Sequence, residues 1–188
     1  MDESEEQFNK KPNKLVDDFM NRPIYKNLTV EIINNLHDED LTLAVMDTIW
    51  VKMDKNLSNE FEIVSSLPEG RKAIYSTYVV ESEVNNGGFN QFYFNSSSQF
   101  AEIAVEGFAH IGVLELAELM RKANATYIHE YDKITEEQDG TLEGFSRSYE
   151  DNPLGKYDDE FYKLDEADSL NTLQVKFIRE NKEEFIDL

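Results

Sequence analysis

The chain has 188 residues, 40% of them hydrophobic and 12% aromatic, which supplies a core for one domain of ordinary size and excludes wholesale disorder. Acids outnumber bases 39 to 18, for a formal net charge of −21; such a surface repels phosphates, which excludes direct nucleic-acid binding and favours a basic protein partner, although the same charge also serves plain solubility. Cysteine is absent, which excludes disulfides, thiol catalysis and cysteine-based metal sites, and 8 glycines and 4 prolines are too few for a turn-rich all-β fold.

Residues 1–24 are polar, mixed in charge and broken by Pro12 and Pro23, and they read as a loosely ordered or peripheral segment ahead of a single helical domain over 25–188. The opening MDESEEQFNKKPNK lacks the apolar stretch of a secretory signal. No apolar run approaches the roughly 18–20 residues of a membrane span, so the protein reads as cytoplasmic with no membrane partner.

From Asp40, a candidate N-cap, Leu41, Val45, Thr48, Ile49 and Met53 follow helical spacing. Residues 56–66 read as a connector with an apolar patch at Phe61, Ile63 and Val64. A second helix starts near Pro68, at a first-turn position, and carries Ala73, Ile74, Thr77, Tyr78, Val80 and Val84 on one stripe. It is expected to stop at Asn85-Asn86-Gly87-Gly88, because glycine and then asparagine best adopt the left-handed conformation that closes a helix.

FNQFYFN then reads as helical, and Ser97 or Ser98 as a cap for the next helix, whose inner face is Phe100, Ile103, Ala104, Phe108 and Ile111. Gly112 breaks it, and a further helix resumes with Leu116, Leu119 and Met120 inward. Loops and short helices are expected through the acidic stretch that contains Gly140, Gly144, Pro153 and Gly155. The last helix, from about Asp168, places Leu170, Leu173, Phe177 and Ile178 on one side and the i,i+4 pairs Lys176–Glu180 and Arg179–Glu183 on a solvated side. The sum is an all-α, single compact domain of about six to eight helices.

Charge is unevenly spread. Residues 126–188 hold 18 acids against 7 bases, about half of the total excess. The acids cluster at Glu136, Glu137 and Asp139, at Glu150 and Asp151, at Asp158, Asp159 and Glu160, and at Asp165, Glu166 and Asp168. Carboxylates one helical turn apart stand about 5–6 Å from each other, and one DNA strand carries a charge per ~3.4 Å. Such a row can therefore stand in loosely for a phosphate backbone, while the plain alternative is a solvated face. Asp165 or Asp168 can also cap the last helix.

Spelled-out chemistry is scarce. His37, His110 and His129 show no metal-ligand spacing, and neither a phosphate-binding glycine loop nor a nucleophile elbow occurs, so no metal, cofactor or catalytic residue is assigned. The most unusual stretch is EVNNGGFNQFYFN, residues 83–95. Its main reading is architectural: Gly87 and Gly88 permit a tight reversal, Asn85 and Asn86 cap backbone groups, Phe89, Phe92 and Phe94 enter the core, and Glu83, Gln91 and Asn95 complete a polar network. The rival is a small-ligand or catalytic site built from Glu83, Asn86 and Gln91.

The run from Glu81 to Ser96 resembles the signature E-x-E-V-N-N-G-G-F-x-Q-[FY]-[FY]-x-N-S of an all-helical bacterial domain family of unknown function that is DNA-mimic-protein-like. A helix ending His110-Ile111-Gly112 follows in the matching place, and Tyr157-Asp158-Asp159-Glu160-Phe161-Tyr162 is similar to a later family segment, with Tyr157 departing from the usual apolar lead. The resemblance spans about residues 40–185. It implies a homodimeric protein whose acidic surface engages a DNA-binding transcriptional regulator. Two alternatives stand beside that implication: an immunity-like or antitoxin-like protein that neutralises a basic toxin, and an enzyme or ligand binder with its site at the NNGGF corner.

Overall fold

Pro68 has no N–H to leave unpaired, and with φ −54° and ψ 150° it stands immediately before the longest helix of the chain, Glu69–Phe94. The computed structural model describes residues 21–187. Within them the α-helices are α1 (Val30–Asn35), α2 (Asp38–Trp50), α3 (Glu60–Ser65), α4 (Glu69–Phe94), α5 (Ala101–His110), α6 (Leu114–His129), α7 (Tyr131–Thr135), α8 (Leu142–Arg147), α9 (Gly155–Ala167) and α10 (Leu170–Glu180). Short 3₁₀ turns lie at Ser96–Phe100 and Lys182–Glu184, and no strand occurs among the described residues. The architecture is all-α. Five of the six helices of ten residues or more fall where helical spacing places them; the sixth, α9, runs for 13 residues from Gly155 in a stretch expected to hold only loops and short helices, and the other four are single turns of five or six residues. Most of the segment expected over 1–24 lies outside the described residues.

α4 is the hub. α5, α9, α2, α10 and α3 all pack on it, and α6 packs against α5. The stripe Ala73, Ile74, Thr77, Val80 and Val84 is buried, as are Phe100, Ala104 and Phe108 of the facing layer and Leu116, Leu119 and Met120 of α6. All of these but Thr77 belong to one continuous apolar cluster. Gly107 lets α5 approach α4 closely, since a Cβ there would lie 3.2 Å from the Ala73 backbone.

Several local expectations shift for identifiable reasons. α2 begins at Asp38 with His37 at its N-cap, and Asp38, Glu39 and Asp40 all fall in its first turn, where the helix dipole favours carboxylates. α3 occupies part of the expected connector, and Val64 is the residue it buries. Ser97 and Ser98 do not cap α5: the Ser97 hydroxyl donates to Glu83 at 2.6 Å and the Ser98 hydroxyl to the Asn95 carbonyl at 3.0 Å. Arg179 is not on a solvated face. Its guanidinium donates to the Ile33 carbonyl, to the Leu36 carbonyl at 2.7 Å and to Asp38 at 2.5 Å, closing the C-terminal end of α1.

The chain end is held by a second arginine. Buried Arg71 donates to the Phe185 carbonyl at 2.6 Å and pairs with Asp187 at 3.0 Å, and Asp187 in turn accepts the Leu28 N–H at 3.2 Å. No helix among the described residues is long and apolar enough to cross a membrane.

Candidate functional site

α4 is two helical segments joined at the asparagine–glycine stretch, where the backbone leaves helical geometry. Gly87 is extended at φ −162°, and Gly88 is left-handed at φ 69° and ψ −176°. The stretch is therefore a kink between two helical segments. Such a break leaves carbonyls without partners before it and an N–H after it. Distant residues supply these. The Tyr162 hydroxyl donates to the Val84 carbonyl at 2.8 Å and the Tyr149 hydroxyl to the Gly87 carbonyl at 2.7 Å. The Asp158 carboxylate accepts the Phe89 N–H at 2.7 Å.

Burial pushes the Asp158 carboxyl above its usual range against the opposing effect of the Phe89 N–H. Burial, with Asp158 nearby, also raises the Tyr149 and Tyr162 hydroxyls, so both stay protonated donors. Asn85 and Asn86 are exposed, and their side chains do not make the caps expected of them.

Glu83, Gln91 and Asn95 are brought together. The Glu83 carboxylate accepts the Gln91 and Asn95 amides at 2.8 Å each and the Ser97 hydroxyl at 2.6 Å, so three side-chain donors converge on one acid. Phe89 is buried among Tyr93, Tyr157 and Phe161, and Phe92 is buried too, but Phe94 is 42% exposed. Phe94 turns outward to meet Phe145 of α8, with ring centroids 4.5 Å apart. An open cleft of about 370 Å³ adjoins the kink, with Asn86, Gln91, Phe94 and Asn95 on one side and Thr141, Leu142 and Phe145 on the other. Buried Asn90, not singled out in the sequence, donates to the Ser148 hydroxyl at 2.9 Å and accepts the Asn152 amide at 2.9 Å, tying the kink to the acidic segment.

The eleven candidate surface acids divide into groups. Asp158 faces the kink, as described. Asp165 accepts the Leu170 N–H at 2.8 Å and so caps the start of α10. Glu137 and Asp139 share Arg147 at 2.7 Å and 3.2 Å, and Asp139 also takes the Thr141 hydroxyl at 2.6 Å. The hydroxyl and N–H of Thr141, more than Arg147, hold the Asp139 carboxyl below its ordinary range. Glu136, Glu150, Asp151, Asp159, Glu160, Glu166 and Asp168 are exposed, and their carboxylates make no hydrogen bond or ion pair among the described residues. On α9 the free acids are interleaved with Lys156 and Lys163, so the carboxylates form patches and not an unbroken rail.

His110 pairs with Glu184 at 3.0 Å and edges against Phe177. No group of three or more potential metal ligands gathers among the described residues.

Residues 65–181 match the family model described as DMP19-like protein. No curated protein and no solved structure matches the chain.

Proposed function

The chain belongs to the DMP19-like protein family, and from that membership we propose that it is an acidic, non-enzymatic interaction protein: a DNA mimic that binds and sequesters a basic DNA-binding regulator of the helix-turn-helix type. The observation that carries the proposal is the set of seven exposed, unneutralised carboxylates, Glu136, Glu150, Asp151 and Asp168 on turns and bends and Asp159, Glu160 and Glu166 on α9. Unpaired acids on ordered backbone repel one another without stabilising the fold, which makes them available to a positively charged surface. The protein does not itself bind nucleic acid, because its net charge of −21 opposes phosphate. It acts as a homodimer, as its family resemblance implies.

The test is affinity capture on the immobilised protein from the source lysate at low salt, with stepwise salt elution and competition by duplex DNA. The expected outcome is a DNA-binding protein that leaves with salt, is displaced by duplex, and is retained less by the triple charge reversal Asp159→Lys, Glu160→Lys, Glu166→Lys. Retention of no basic protein, or retention indifferent to both salt and the triple reversal, removes the proposal.

A further inference from the structure

The cleft beside the kink carries a feature that charge alone does not account for. Leu142, at the first position of α8, is 86% exposed, the most exposed large apolar side chain among the described residues. A single exposed leucine is ordinary. Here, however, it shares one cleft with half-exposed Phe94 and with Phe145. The rings continue from there: Phe145 meets Tyr149 edge-on at 5.3 Å, and Tyr149 reaches the kink through the Gly87 carbonyl. An apolar strip therefore runs along α8 into the corner of α4. The chain that bears it is acidic, with six acids between residues 136 and 151 against Arg147 alone, and Arg147 is already held by Glu137 and Asp139. Glu136, Glu143, Glu150 and Asp151 are left exposed and unpaired.

An apolar centre inside a charged rim is the arrangement of a protein–protein hot spot, where a few apolar groups supply most of the affinity and the rim supplies direction. A cleft of about 370 Å³ that is open on one side suits side chains of a partner helix better than an enclosed small molecule. We propose that this cleft is the anchor point of the partner: a basic amphipathic helix seats an apolar side chain between Phe94, Leu142 and Phe145, while its cationic residues meet the acids of residues 136–151. The proposal rests on the reading of the protein as an acidic sequestering partner. It adds that recognition has a component that salt does not remove.

Two arginine-rich helical peptides of equal length and charge serve as probes, one with leucines on its second face and one with serines there. Binding is followed by fluorescence anisotropy at low and moderate salt. The expected result is that the leucine peptide binds about tenfold more tightly, the equivalent of one well-seated apolar anchor, and keeps that advantage at moderate salt. Leu142→Ser and Phe94→Ser should abolish the advantage and leave the serine peptide's affinity unchanged. Leu142 contributes little to the fold, and unchanged thermal melting of Leu142→Ser verifies that this variant is intact. Equal binding of both peptides to the unmodified protein overturns the anchor and leaves the acidic-partner reading standing. Loss of the leucine peptide's advantage in neither variant also overturns it. Binding of neither peptide overturns both.

Discussion

The Asp158 carboxylate accepts the backbone N–H of Phe89 at 2.7 Å, although 69 residues separate them. An acid from the most negative part of the chain thus closes the start of the second half of α4. Asp158→Ala leaves that N–H without its partner and is expected to cost about 1–3 kcal/mol in urea unfolding at neutral pH. Asp158→Asn keeps an acceptor oxygen and removes a half-buried charge, so it should lie within about 1 kcal/mol of the unmodified protein. It should also leave partner binding unchanged, because this carboxylate faces inward. A binding loss in Asp158→Asn comparable to that of the α9 charge reversals would return Asp158 to the interaction surface.

Gly88 is constrained twice. Its φ of 69° is left-handed, and a Cβ there would lie 2.8 Å from Asp158 Cγ. Gly112 also has a positive φ, 85°, but nothing lies within 4 Å of the position a Cβ would take. Gly112→Ala should therefore cost only the backbone strain, about 1 kcal/mol. Gly88→Ala should cost clearly more, roughly 3 kcal/mol or above, since it also displaces the Asp158 seat. Equal losses for the two variants in parallel denaturation curves would mean that the contact with Asp158 contributes nothing.

Helical periodicity, more than the expected caps, shows in advance where the long core helices form, because burial of a stripe such as Ala73, Thr77, Val80 and Val84 repeats at helical spacing within one element. The break at Gly87-Gly88 is legible for the same reason: glycine's effect on a helix is local. The residues that hold the break together are not. Tyr149, Asp158 and Tyr162 act on carbonyls and an N–H 62 to 78 residues away, and no spacing rule connects positions at that range. Phe94 illustrates the other gap. It sits in an aromatic run whose neighbours Phe92 and Tyr93 are buried, and its outward contact with Phe145 of α8 involves a residue that no local pattern connects to it. Single-turn helices such as α1 escape for lack of a full period, and α1 is closed by Arg179 from the far end of the chain.

Glu83 gathers three donors on one carboxylate, so its removal strands more than one group. Glu83→Ala is expected to cost about 2–4 kcal/mol, the loss of several charge-assisted hydrogen bonds in a partly buried setting. Glu83→Gln replaces one acceptor by a donor that faces other donors, so it should recover less than half of that loss. Chemical denaturation of both variants gives the comparison, and a Glu83→Gln protein as stable as the unmodified one would show that the carboxylate's charge is not needed.

Glu81, on the α4 segment before the kink, is half-buried and has no hydrogen-bonding partner. Burial, and then the nearby charge of Asp165, pushes its carboxyl from 4.5 up to about 7. The sign follows from proton linkage. Between those two values the native state keeps a proton that the unfolded chain has released, so raising the pH from about 4.5 through about 7 removes stability. A gap of that size corresponds to about 3 kcal/mol at most, and solvent access reduces it. Glu81→Gln resembles the protonated acid at every pH. The variant should match the unmodified protein at about pH 4 and exceed it by about 1–2 kcal/mol at pH 8, as read from urea midpoints across that range. A difference that stays constant with pH would mean that Glu81 ionises normally in the native state and that Asp165, which caps α10, is not opposed by a neighbouring charge.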